Sequence, residues 1–145
     1  MHISFDLDGT LTRTQFDHES GRSRILSRLF FPEKLRTGTK LLFDSLRRDG
    51  HQLSIYTSSM RNKNYIYYWF LSHGIRIDRV INYDLHKDAI SGLPISKNPD
   101  AFGFDLHVDN EQIVAEDRYR MKCRILILHE NDADWVSTVL CWVRN

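Results

Sequence analysis

The stretch "ISFDLDGTLT", residues 3–12, decides the fold. Side chains of an extended chain alternate faces, so Ile3, Phe5 and Leu7 share one side and Ser4, Asp6 and Asp8 the other. At a rise of about 3.3 Å per residue, the two aspartate stems stand roughly 6.6 Å apart on one face. Gly9 then frees the chain to turn. Two readings compete. Asp8-Gly9 between alternating apolar residues is a hairpin signal, and the alternative is a strand that ends in a pair of carboxylates. The hairpin lacks a good return strand, because "TLTRTQFDHESGRSR" (10–24) holds only Leu11 and Phe16 as apolar residues.

The rest of the chain bears on the choice. At 145 residues it has the length of one domain, 1–145, with room for a substantial core. Its 41% hydrophobic and 27% charged residues match an ordinary globular protein rather than a disordered one. No apolar run reaches the roughly 18–20 residues that a membrane span needs. The opening "MHISFDLDG" carries acids where a signal peptide carries a basic patch and an apolar stretch. A cytoplasmic protein without a membrane partner is the expectation.

Cys123 and Cys141 are too few for a disulfide framework and lack metal-ligand spacing. Cys141 falls on the apolar side of a C-terminal helix, which predicts a buried thiol. The net charge is only +1, but residues 20–50 gather Arg22, Arg24, Arg28, Lys34, Arg36, Lys40, Arg47 and Arg48. Against these stand Glu33, Asp44, Asp49 and, at the edge, Glu19. Such a stretch reads either as a solvated helix face or as a surface that attracts a phosphate-rich substrate.

Five runs have strand length and strand composition: "HISFDL" (2–7), "HQLSIYT" (51–57), "DRVINY" (78–83), "GFDLHV" (103–108) and "RILILH" (124–129). Helical patterns lie between them. "PEKLRTGTKLLFDSLRRDG" (32–50) spaces Leu35, Leu42 and Leu46 helically and stops at Gly50. "NKNYIYYWFLSHG" (62–74) also ends on glycine. "NDADWVSTVLCWVRN" (131–145) puts Trp135, Val136, Val139, Leu140 and Val143 on one stripe. "HKDAISGLPISKNP" (86–99) reads as a loop. Strands alternating with helices predict a three-layer α/β fold of Rossmann type, about five mainly parallel strands with helices on both faces.

In such a sheet ligands bind beyond the carboxyl ends of the strands. Those ends are where Asp6 and Asp8, then Thr57 and Ser58, then Asp109 and Asn110 fall. A hairpin at Gly9 would pull the first strand out of this pattern, so the strand-end reading is preferred.

Asp6-x-Asp8-Gly9-Thr10, Thr57 after an apolar strand, Lys97, and Asp109 after another strand resemble, in order, the haloacid dehalogenase superfamily of phosphotransferases. The resemblance runs from residue 3 to about residue 111. It implies a Mg²⁺-dependent phosphatase in which Asp6 attacks phosphorus and Asp8 serves as general acid and base. By the same resemblance Thr57 and Lys97 bind and polarise the phosphoryl group. Mg²⁺ would be held by Asp6, the backbone carbonyl of Asp8, and Asp109. Many relatives follow the fourth strand with two acids, whereas this chain has Asp109-Asn110-Glu111. Asn110 is then a further candidate ligand through its amide oxygen, or Glu111 supplies a carboxylate nearby.

Gly9, Thr10, Ser58 and Arg61 flank these positions and are candidates for holding phosphate or substrate. For Arg61 a solvated first-turn arginine is the equal alternative. His107 shares a face with Asp105 and Asp109 by period 2 and is expected to pack against a helix. Neither gap between the motifs fits a full inserted cap domain, which implies an open site. The expected substrate is phosphorylated, with a nucleotide or nucleic-acid end favoured by the basic stretch. The alternative is a catalytically idle binding or regulatory protein on the same fold. Tyr65, Tyr67, Tyr68, Trp69 and Phe70 are too many aromatics for one helix face, which raises self-association through 65–70.

Overall fold

The computed structural model describes residues 1–12 and 30–145. Five strands form one parallel sheet: β1 (His2–Phe5), β2 (Gln52–Tyr56), β3 (Arg79–Ile81), β4 (Leu106–Asp109) and β5 (Arg124–Ile127). Their spatial order is β3-β2-β1-β4-β5, with every pairing parallel. The helices are α1 (Thr39–Arg48), α2 (Lys63–Ser72), α3 (Tyr83–Ile90), α4 (Gln112–Glu116) and α5 (Trp135–Arg144). Short 3₁₀ turns occupy Pro99–Phe102 and Asp117–Arg120. The predicted fold class is therefore the observed one.

The three central strands β1, β2 and β4 bury both faces, as a parallel sheet between helices requires, while the edge strands β3 and β5 are buried only in part. Ile3 and Phe5 align with Leu53 and Ile55 on one side and with Leu106 and Val108 on the other. These residues join the main core with Leu42, Phe43, Leu46, Trp69, Phe70 and Val139. The Phe5 and Phe43 rings lie 4.9 Å apart. Burying one such side chain contributes about 1.5–3 kcal/mol. The opposite face is partly polar. Tyr56, Ile81, Phe104 and Cys123 form a smaller cluster there, and Ser4, Ser54 and His107 lie buried in the same sheet.

Several expectations need correction. The helix expected across 32–50 begins only at Thr39, because Gly38 adopts φ 92 at its N-terminus. A Cβ on Gly38 would stand 2.7 Å from Val136 Cγ2, so this glycine also permits the close approach of α1 and α5. Tyr83–Ile90 is helical, so the loop expected from 86 starts at Ser91. That helix buries His86 alone, which left little periodicity to read. Cys141 is exposed and Cys123 is the buried thiol, because α5 turns Trp135, Val139 and Val143 inward.

The basic stretch is not one surface. Arg22, Arg24 and Arg28 lie outside the described residues. Arg36 is buried, its guanidinium donating to the carbonyls of Thr10, His129, Glu130 and Asp132. Lys40 pairs with Asp44 and Arg47 with Asp78. In α2, Trp69 and Phe70 are core while Tyr67 and Tyr68 are exposed. Among the described residues no helix is long and apolar enough to cross a membrane.

Candidate active site

The strand order reverses direction between β1 and β4: β2 and β3 extend to one side, β5 to the other. A crevice beyond the carboxyl ends of the strands at such a switch point is the usual ligand site of an open α/β sheet. β1 leads directly into Asp6 here and β4 ends in Asp109. Asp6 extends the β1–β4 ladder by donating its backbone N–H to Val108 O at 2.8 Å.

Lys97 arrives from the loop before the Pro99–Phe102 turn and inserts between the two carboxylates. Its Nζ stands 2.6 Å from Asp6 Oδ1 and 2.6 Å from Asp109 Oδ2. All three are buried, with Lys97 2% exposed, Asp6 5% and Asp109 0%. Burial opposes the lysine charge, but the two carboxylates outweigh it and raise its pKa above the ordinary lysine value.

The carboxylates themselves diverge. Burial pushes Asp6 up to about 7 against the pull of Lys97, and the Asp109 charge adds to the rise. Burial would raise Asp109 as well, yet the His107 hydrogen bond and the Lys97 charge hold it below the usual carboxylate range. The difference lies in His107, whose Nε2 is 2.9 Å from Asp109 Oδ2. Glu111 N also donates to Asp109 Oδ1 at 2.9 Å. His107 thus faces Asp109 rather than only packing against a helix, which corrects the expectation for it. Asp105, by contrast, is exposed and accepts His2 N at the opposite end of the strand.

The turn after β1 folds back on itself, with Leu7 O accepting from both Leu11 N and Thr12 N. Gly9 holds φ 82, and a Cβ there would stand 2.3 Å from Asn110 Nδ2 and 2.8 Å from Glu130 Oε1. Thr10 Oγ1 donates to Asn110 Oδ1 at 3.2 Å, which turns the Asn110 oxygen toward the turn. Gly9→Ala is expected to cost about 1–3 kcal/mol, from strain at positive φ and from displacing Asn110. Denaturant unfolding checks this, and an unchanged midpoint would contradict the packing described.

Thr57 is buried beyond β2, and its Oγ1 accepts from Ser59 N at 3.1 Å. Ser58 is exposed. Arg61 does not stand open to an anion. Its Nη1 and Nη2 grip both Asp8 oxygens at 2.7 and 2.9 Å. Its Nη2 and Nε also bind Glu33, the shortest contact being 2.6 Å. Tyr65 OH donates to Glu33 Oε2 at 3.2 Å. Donating these hydrogen bonds to Asp8 and Glu33 raises the Arg61 pKa above its ordinary value. The structure therefore gathers Asp6, Lys97 and Asp109 in one cluster, Asp8 with Arg61 in a second, and Gly9, Thr10 and Asn110 in a third. Glu33, Glu130 and His107 enter these clusters without having been singled out as site residues.

Among the described residues no group of three or more His, Cys, Asp or Glu side chains is arranged to hold a metal ion. That does not conflict with Mg²⁺, which takes hard oxygens from one or two carboxylates and completes its shell with waters. Asp6 and Asp109 are two carboxylates of this kind, standing at the carboxyl ends of the adjacent strands β1 and β4. The donor set fits.

Among solved structures the chain is similar to a predicted HAD-like family hydrolase from Porphyromonas gingivalis, at 16% identity and a TM-score of 0.57, covering 99% of this chain and 98% of that one. A protein from Listeria monocytogenes serotype 4b gives 16% identity and a TM-score of 0.55, covering 99% of both chains. A Pnkp1/Rnl/Hen1 complex matches at 13% identity and a TM-score of 0.52, over 90% of this chain and 46% of that one. No protein-family model matches the chain, and neither does any curated protein. What is shared with these structures is the fold, found also in a predicted HAD-like family hydrolase.

Proposed function

We propose that this protein is a Mg²⁺-dependent phosphatase of the haloacid dehalogenase type, acting on phosphate monoesters through an aspartyl-phosphate on Asp6. The observation that carries this is Lys97 Nζ seated 2.6 Å from both Asp6 and Asp109 at the switch point of the sheet. Mg²⁺ held by the Asp6 and Asp109 carboxylates and the Asp8 main-chain carbonyl would offset the negative charge of nucleophile and phosphoryl group.

The protein's own groups divide the remaining labour. An Asp6 oxygen forms a bond to phosphorus as the bond from phosphorus to the leaving oxygen breaks. Asp8 delivers a proton to that oxygen, then takes one from the water that cleaves the acyl phosphate, freeing phosphate and restoring Asp6. Lys97 pulls Asp6 toward its carboxylate form against the burial that favours the acid, and supplies a fixed positive charge beside the phosphoryl oxygens. The Thr57 hydroxyl, buried just beyond β2, would bind one of those oxygens. Arg61 holds Asp8 in the resting protein and must release one of its oxygens before Asp8 can carry the proton, with Glu33 keeping the far edge of the guanidinium.

A second reading, a catalytically idle binding protein on the same fold, draws on the Arg61 fork, which occupies both oxygens of Asp8. Release of phosphate from an aryl phosphate, with and without Mg²⁺, separates the two. Hydrolysis that requires Mg²⁺ supports the phosphatase, and its absence at millimolar protein and metal supports the idle protein. In the active case Asp109→Ala is expected to raise the half-saturating Mg²⁺ concentration more than Asn110→Ala, since only Asp109 brings charge to the cation. The reverse order would move the metal ligand to Asn110.

A further inference from the structure

Asp109 is a carboxylate with no exposure at all, and three donors converge on it. Lys97 and His107 both meet Oδ2, while Glu111 N meets Oδ1. Of these only His107 approaches from within the sheet. It is a residue of β4 itself, two positions before Asp109 and on the same face of the strand.

The other ring nitrogen of His107 is engaged as well. Nδ1 lies 2.9 Å from Ser4 Oγ, and Ser4 is the residue directly opposite His107 in the β1–β4 register. Both side chains are fully buried. An ionised carboxylate only accepts, so Nε2 must carry the ring hydrogen and Nδ1 must accept from the Ser4 hydroxyl. One tautomer satisfies both ring nitrogens, the 2.9 Å contact to Nδ1 being shorter than the 3.4 Å from Ser4 Oγ to Leu106 O. The imidazole is further pinned by the Tyr56 ring, whose centroid lies 5.2 Å away. Tyr56 in turn accepts from Asn98 N at 2.9 Å, next to Lys97.

We infer that Ser4 and His107 are positioning residues. They fix the rotation of the Asp109 carboxylate, and through Lys97 that of Asp6, so that the two carboxylates are set for Mg²⁺ before it binds. The inference rests on the proposal that Asp6 and Asp109 hold Mg²⁺, and it is independent of what reaction follows. Hydrogen bonds behind a metal-binding residue hold its orientation in the absence of the ion and strengthen binding when it arrives. Neither Ser4 nor His107 touches substrate.

The test compares two polar replacements at one position. Glutamine can place its amide N–H where His107 Nε2 stands and so still donate to Asp109. Asparagine is shorter, reaching only toward the Nδ1 position and Ser4. Direct calorimetric titration of the metal-free protein with MgCl₂ reads the outcome without relying on activity. His107→Asn is expected to weaken Mg²⁺ binding about 10- to 100-fold, whereas His107→Gln stays close to wild type. Ser4→Ala, a smaller change, is expected to give a smaller loss in the same direction, and it keeps the test open if His107→Asn does not fold.

Thermal melts accompany each titration. Equal Mg²⁺ affinity in His107→Asn and wild type overturns the inference. So does equal weakening in the Asn and Gln variants, which would mark a purely structural histidine. A wild-type protein that binds no Mg²⁺ overturns it too. A wild type that binds Mg²⁺ yet releases no phosphate overturns the phosphatase reading instead, and the ordering of the three variants still decides the roles of Ser4 and His107.

Discussion

Asp6→Asn is expected to lower turnover of an aryl phosphate by about 10⁴-fold or more while leaving the fold intact. Asparagine has the shape of aspartate and keeps an oxygen toward Lys97, but its amide cannot form the acyl phosphate. The structure predicts more than inactivity. Burial raises the Asp6 carboxyl from 3.8 to about 7, so the folded protein holds a proton there that the unfolded chain has lost. Stability must then fall as pH rises between those two values. Asparagine has no such proton. The metal-free variant should therefore lack this downward slope and be at least as stable as wild type at pH 8. Near-wild-type turnover would remove Asp6 as nucleophile, and an unchanged pH slope of stability would remove it as the buried carboxyl responsible.

Much of this arrangement could be read from the chain because its signals are local. Period 2 placed Asp6 and Asp8 on one face, and Gly9 marked where β1 stops. Alternation of strands with helices then fixed a parallel sheet, and with it the end at which Asp6, Thr57 and Asp109 had to lie. The expected runs overshot the strands by a residue or more, as with "HISFDL" against His2–Phe5. At β1 the extra residues, Asp6 and Leu7, lead into the turn that carries the site, whereas "GFDLHV" overshot only at its start and ended one residue short of Asp109.

The contacts that were missed depend on which strands are neighbours. Period 2 puts His107 on one face with Asp109, and Ser4 with Asp6. Only the adjacency of β1 and β4 brings Ser4 against His107. Glu33 carries no pattern of its own. It enters because the chain passes Arg61 on the way to α1. Position after a strand end makes Arg61 a candidate but cannot reveal that two carboxylates occupy its donors. Arg36 belongs to the basic stretch in sequence, although its donors go to backbone carbonyls inside the protein. Charge in a sequence does not disclose whether its partner is water, a ligand or the chain itself.

Lys97→Met is expected to be the most damaging single change to stability in the site, costing about 3–5 kcal/mol at neutral pH. Methionine fills much of the lysine stem but leaves Asp6 and Asp109 buried without the cation between them. The wild-type ammonium lies 2.6 Å from each carboxylate, and burial leaves little water to replace it. The pH dependence identifies the cause. In wild type Asp109 is held below its unfolded value by His107 and Lys97, which contributes stability above about pH 4 that is lost as pH falls. Without Lys97 that contribution shrinks. Asp6, already raised to about 7 with the lysine present, must rise further, so its stability decline continues above pH 7. Both effects widen the deficit as pH increases. Denaturant unfolding of the metal-free proteins should show the smallest difference below pH 4 and the largest near pH 8. If the variant unfolds within about 1 kcal/mol of wild type at pH 8, Lys97 does not neutralise a buried carboxylate pair, and the core of the proposed site is wrong.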